Sequence, residues 1–153
     1  MEEGNSKMEI KILQTEEVPK AVQLARGVFE YCLRNTINEA QLIESFYTYV
    51  REENIRQLME TQKLTIWAAY DEQNNMVAVS GMQSEGHITL LYVMPYYQRR
   101  GYGKKLLLTM REYAREKLEL AQVTVNAMPA WTASYFAKNK FKAVQNPQSV
   151  PYV

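Results

Sequence analysis

Cysteine is all but missing. Cys32 is the single one in 153 residues, so no disulfide can form within the chain. His87 is likewise the single histidine, and one imidazole with one thiol falls short of a structural zinc site, so no metal is expected. Neither sign of charge is in excess. Lys and Arg total 18 against 17 Asp and Glu, a formal net charge of +1, which supplies no basic field for nucleic acid. No run approaches the ~20 continuous apolar residues of a membrane helix, so no membrane partner is expected. The opening "MEEGNSK" is acidic and polar, without the apolar centre of a signal peptide. Residues 1–7 therefore read as a flexible lead-in, and residues 8–153 as one cytoplasmic domain. With 46% hydrophobic and 23% charged residues, that length is enough to bury a core. Composition leaves open whether the protein is a monomer or a homodimer.

Periodicity lays out the elements. Met8–Gln14 alternates near period two and predicts a half-buried strand. Val18, Ala21, Val22, Ala25, Val28, Phe29 and Leu33 follow helical spacing, with Pro19 tolerated in the first turn. A second helix is predicted after Asn38, read as its N-cap, through Phe46, Ile55 and Leu58, with a break near Glu53. Leu64–Gln83 reads as two strands around a turn at Gln73–Asn75, and Glu85–Gly86 turns the chain into a third strand, "HITLLYVM". After Gly103 a helix places Leu106, Leu107, Met110, Tyr113, Ala114 and Leu118 on one face. "QVTVNA" is a further strand, "WTASYFAKNK" a short helix, and "FKAV" with "VPYV" a closing hairpin. Mixed rather than alternating strands and helices predict an α+β fold, a mostly antiparallel mixed sheet with helices on both faces.

The chemistry concentrates in "LLYVMPYYQRRGYGKKLL", Leu90–Leu107. A helix start carries free N–H groups and a partial positive potential, and so binds phosphate where side chains leave room. Gly101 and Gly103 leave that room, and Arg99, Arg100, Lys104 and Lys105 add cations. A strand-to-helix turn that needs glycine for geometry alone is the competing explanation. A dinucleotide fingerprint fails because its third glycine position is Leu106, and a P-loop fails for want of its upstream glycine and its following Ser or Thr.

An apolar strand ending Val93-x-Pro95, then Gln98-x-x-Gly101-x-Gly103 and an apolar helix, resembles the acyl-CoA-binding motif of the GNAT N-acyltransferase superfamily. The order of elements along most of the chain resembles that fold as well. The resemblance implies that Gln98, Arg99, Arg100, Gly101, Tyr102, Gly103 and Lys104 wrap the CoA pyrophosphate, mainly through backbone amides. It implies a pantetheine arm in a cleft between splayed strands, met by backbone groups of Leu91, Tyr92 and Val93. Asn126 matches a position near the cofactor arm, with capping of the next helix as the equal alternative. The expected co-substrate is acetyl-CoA, and the expected acceptor is a small-molecule or peptide amine.

Acyl transfer needs a neutral amine, a polarised thioester carbonyl and a proton for the leaving thiolate. A backbone N–H near Tyr92 or Val93 can polarise the carbonyl. The family's acid is commonly a tyrosine in Tyr-x-x-x-Gly-Phe, but counting back from Phe141 places Phe136 there and Lys140 at the glycine. Tyr135 is then the candidate acid, one helical step of about 100° away, and Phe136 a cofactor neighbour. No carboxylate lies within "HITLLYVM", and His87 opens it at the end far from Pro95, which suggests a structural or rim role. Glu30, Glu39 and Glu44 fall on helices that border the acceptor site by the same resemblance. Nothing around Cys32 marks it as a nucleophile, so direct transfer is expected. A non-catalytic acyl-CoA-binding module with the same fold is the alternative.

Overall fold

A computed structural model describes residues 8–126 and 132–143. In chain order it comprises β1 (Glu9–Ile12), α1 (Val18–Val28), a π turn (Phe29–Leu33), a 3-10 turn (Arg34–Thr36), α2 (Ala40–Tyr49) and α3 (Glu52–Glu60). Then follow β2 (Leu64–Tyr70), β3 (Met76–Gln83), β4 (His87–Val93), a 3-10 turn (Pro95–Tyr97), α4 (Tyr102–Glu116), β5 (Thr124–Val125) and α5 (Ala133–Lys138). The five strands lie in sequence order in one sheet. Every pairing is antiparallel except β4 with β5, which is parallel.

Strand alternation sorts the core into two layers. Ile66 and Ala68 of β2, Val79 of β3 and Leu90 and Tyr92 of β4 pack under α1, α2 and α3, around Phe29 and Phe46. Those two rings stack with centroids 3.9 Å apart. Trp67, Ala69, Val77, Met82 and Ile88 face the other way, onto Leu106, Leu107, Met110 and Ala114 of α4. The predicted α+β sheet with helices on both faces is the observed one.

Several boundaries moved. The second predicted helix is two, because Val50 leaves helical geometry and Arg51 is extended (φ −63, ψ 139) before Glu52 and Glu53 open α3. Acidic residues suit a helix's first turn, so the break falls ahead of them rather than at Glu53. Glu39, not Asn38, is the N-cap of α2, and it makes no side-chain cap. α1 widens into the π turn instead of running regularly to Leu33. β5 pairs over two residues only. Phe141–Ala143 form no strand, and the lead-in at 1–7 and the rest of the predicted hairpin lie outside the described residues. Among the described residues no helix is long and apolar enough to cross a membrane.

Candidate active site

The site begins where the sheet comes apart. Among the described residues β4 and β5 pair at His87 with Thr124 and at Ile88 with Val125. At the same place β4 carries a bulge: Gly81 pairs with Leu90 and Met82 with Ile88, so Thr89 has no partner in the β3 register. A bulge bends its strand, and this one falls directly after the last β4–β5 pair of the described residues. The Thr89 hydroxyl is 2.8 Å from that of Tyr49, both buried, which pins the bulge to α2. Burial raises the Tyr49 pKa, keeping it protonated.

Between the separated strands lies a cavity of about 490 Å³. β4 forms its floor from His87 to Val93; Val28, Cys32 and Leu33 form one wall; Val125, Asn126, Thr132, Tyr135 and Phe136 form the other. Met94 donates its N–H to the Val77 carbonyl on β3. By strand alternation the backbone groups of Tyr92 then also face β3, while those of Leu91 and Val93 face the cleft. Tyr92 accordingly does not offer its backbone to the cleft, and its ring packs edge-on against Phe46.

Gln98, Arg99 and Gly103 reach the cavity at its α4 end. The chain enters the left-handed region at Arg99 (φ 65) and again at Gly101 (φ 92), the N-cap of α4. The first α4 hydrogen bond runs from Lys105 N–H to the Gly101 carbonyl, and no side chain caps the helix. The N–H groups of Tyr102, Gly103 and Lys104 therefore have no acceptor within the helix. Gln98 Nε2 donates to the Val93 carbonyl at 2.9 Å and lies 3.7 Å from Cys32 Sγ, so this side chain ties the loop to β4.

Arg100 turns elsewhere, its guanidinium 4.5 Å above the Tyr96 ring and 5.4 Å from that of Tyr97. Tyr102 is buried against the α4 core, edge-on to Tyr97. Arg100, Gly101, Tyr102 and Lys104 do not line the cavity. The Tyr97 hydroxyl donates to Asp71 Oδ2 at 2.8 Å, which braces the loop against the β2–β3 turn. Asp71 also accepts from the Asn75 and Gln73 backbone N–H groups, which with Tyr97 hold its carboxyl below the usual carboxylate range.

The opposite wall is docked by α4 itself. Arg111 donates to the Asn139 carbonyl at the end of α5 and lies 4.3 Å over the Phe141 ring. Phe141 in turn meets Phe136. Lys140, at the position where the motif has glycine, takes φ 75. Both Tyr135 and Phe136 line the cavity. The Tyr135 hydroxyl lies over Gly103, where any Cβ would collide with it, and burial raises its pKa, so it stays a proton donor. Asn126 follows β5 and is not the cap of α5, whose N-cap is Thr132.

His87 is in the cavity lining, at the end where the strands still pair. Its Nδ1 is 2.7 Å from Thr124 Oγ1, and burial lowers its pKa against an opposing pull from Glu85. None of Glu30, Glu39 and Glu44 lines the cavity. Glu30 instead accepts from the Tyr47 hydroxyl at 2.7 Å, and Arg26 and Arg34 lie over that ring. Thr89 and Thr132 are lining residues that sequence reasoning missed; a bulge leaves no mark in a run of apolar residues. Among the described residues no cluster of His, Cys, Asp and Glu could hold a metal ion.

A family model described as acetyltransferase (GNAT) domain matches residues 33–152. The fold is similar to PaiA N-acetyltransferase from Thermoplasma acidophilum in complex with coenzyme A, with TM-score 0.77 and 16% identity over 93% of this chain and 94% of that one. It is also similar to a predicted acetyltransferase with acetyl-CoA from Clostridium acetobutylicum, with TM-score 0.71 and 15% identity over 94% and 95% of the two chains. An aminoglycoside acetyltransferase from an uncultured soil metagenomic sample gives TM-score 0.69 and 21% identity over 97% of each chain. No curated protein matches the chain.

Proposed function

The chain belongs to the GNAT acetyltransferase family, and from that premise we propose that it passes acetyl from acetyl-CoA directly to a primary amine in the cytoplasm. The observation that carries this reading is the uncapped start of α4 opening onto the cleft between β4 and β5. The pyrophosphate sits on the N–H groups of Tyr102, Gly103 and Lys104, where charge and helix dipole favour it, with Arg99 alongside. The pantetheine arm runs along β4 and bonds the cleft-facing backbone of Leu91 and Val93, with Asn126 and Phe136 on its other side. The Leu91 N–H then polarises the thioester carbonyl. No metal takes part.

Tyr135 is the proposed proton donor to the thiolate. Its place over Gly103, at the phosphate end, supports a second role as a donor to the cofactor's diphosphate arm. Tyr135→Phe separates the two. A fall in kcat with an unchanged KM for acetyl-CoA marks the acid, whereas a raised KM with kcat held marks the diphosphate contact.

The acceptor is a small-molecule or peptide amine. No carboxylate of the described residues lines the cavity, so a monoamine suits these walls better than a polycation. The direct test is thiol release from acetyl-CoA with tryptamine, spermidine, kanamycin and a short peptide, alongside calorimetry with CoA. Release with tryptamine or the peptide is expected; absence of both binding and release defeats the proposal. Phe136 at the tyrosine position and the lack of a lining carboxylate favour the second reading, a binding module that holds acyl-CoA without turnover. Any acetylated amine product ends that one.

A further inference from the structure

We propose that the outer edge of β1 pairs with the same edge of a second copy of this chain, joining two sheets into one across a two-fold axis. The proposal is independent of the acetyl-transfer reading. Among the described strands β1 and β5 bound the sheet, so pairing at β1 lies at the opposite edge from the cleft and leaves it open.

The backbone leaves one side of β1 without a sheet partner. Leu13 donates its N–H to the Ile66 carbonyl on β2 at 2.7 Å, and Glu9–Ile12 continue that antiparallel ladder along β2. Alternation then turns the N–H and C=O of Glu9 and Lys11 toward β2, and those of Met8, Ile10 and Ile12 outward. Outward-facing backbone groups are a template for another strand.

The side chains decide which strand fits. Glu9 and Lys11 share one face, with Lys11 Nζ 3.8 Å from Glu9 Oε1 and 5.5 Å from the Tyr70 ring centroid, and both are more than half exposed. Met8 and Ile10 lie on the other face, packed against the α4 layer. Ile12 follows them by alternation, yet it stands 47% exposed. Charges on an edge strand ordinarily keep copies apart. Here the two signs are complementary in one antiparallel register. With Ile10 on the axis, Glu9 stands opposite the partner's Lys11, and Met8 stands opposite the partner's Ile12. Registers centred on Glu9 or on Lys11 would set like charges against each other, which destabilises a pair. The backbone selects the same arrangement. Ile10 with itself and Met8 with Ile12 become hydrogen-bonded pairs, and Glu9 with Lys11 the non-hydrogen-bonded pairs, whose side chains approach most closely. Ile12 is covered in the same step. A strand of this length makes a small interface, so the dimer forms at micromolar rather than nanomolar concentration.

The test is sedimentation velocity on tag-free protein from about 5 μM to about 0.5 mM, with Lys11→Glu and Glu9→Lys as variants. The native chain is expected to pass from monomer to dimer across that range. Either variant alone is expected to raise the dissociation constant at least about 10-fold. An equimolar mixture of the two is expected to dimerise again, because the exchanged charges are complementary. A native chain that stays monomeric throughout overturns the proposal. So does a dimer that both variants keep, or a mixture that fails to pair although each variant is folded by circular dichroism. Amide exchange on the native chain decides without any substitution. Exchange at Ile10 and Ile12 that slows as concentration rises supports the interface, with Glu9 and Lys11, bonded within the subunit, as the reference. Exchange there that is indifferent to concentration overturns it, and protection already present at the lowest concentration assigns the edge to a segment of the same chain instead. None of these readouts uses acetyl-CoA, so their outcome leaves acetyl transfer untouched.

Discussion

Gly103 answers to two constraints at once. A Cβ at this residue would strike the Tyr135 hydroxyl, and it would also stand where an anion approaches the start of α4. Gly103→Ala is therefore expected to weaken acetyl-CoA binding on the order of 10-fold, about 1.4 kcal/mol, with the folded midpoint little changed; calorimetry against thermal melts checks both. The glycines and the basic residues were legible in the sequence because each has a definite physical use at the start of a helix. The side-chain directions were not, because Arg100 is settled by tyrosine rings on the loop's outer side and Tyr102 by the core. Lys140 is the reverse case. Its φ of 75 is a backbone state that costs a residue with a Cβ about 1 kcal/mol. Lys140→Gly is expected to stabilise the protein by roughly 0.5–1 kcal/mol, read as a higher urea midpoint at constant slope.

Among the elements, long periodic segments were readable and the junctions were not. α1, α4 and the three-strand meander follow their apolar spacing, whereas the α2–α3 break, the π turn and the β4 bulge depend on what packs against them. The bulge at Thr89 is held by Tyr49, forty residues earlier, and no local pattern encodes that contact. The same holds for the brace between the β2–β3 turn and the phosphate loop. Tyr97→Phe keeps the ring contacts with Tyr96 and Tyr102 and removes only the bond to Asp71. It is expected to raise the KM for acetyl-CoA about 3- to 5-fold, by loss of roughly 1 kcal/mol of ordering, and to leave kcat alone. An equal fall in kcat would show that the brace reaches past the phosphate end.

At the scale of the whole molecule, the two layers and the cleft share one sheet, so protonation inside the cleft is felt by global stability. The folded pKa of His87 lies below its ordinary value near 6.5. Between those two values the unfolded chain binds more protons than the folded one, and stability falls as pH drops through that window. Asp71 adds a second loss at lower pH, since its depressed pKa stabilises the fold only while it remains ionised. Urea melts at pH 7 and about pH 5.5 are expected to show the first loss in the native chain and a smaller one in His87→Gln. The wall that carries Cys32 has a practical consequence. The protein contains one thiol, and that thiol borders the cleft beside Gln98. Alkylation by N-ethylmaleimide thus becomes a footprint of occupancy: bound acetyl-CoA is expected to slow labelling at Cys32, and a labelling rate indifferent to the donor would place the arm away from this wall.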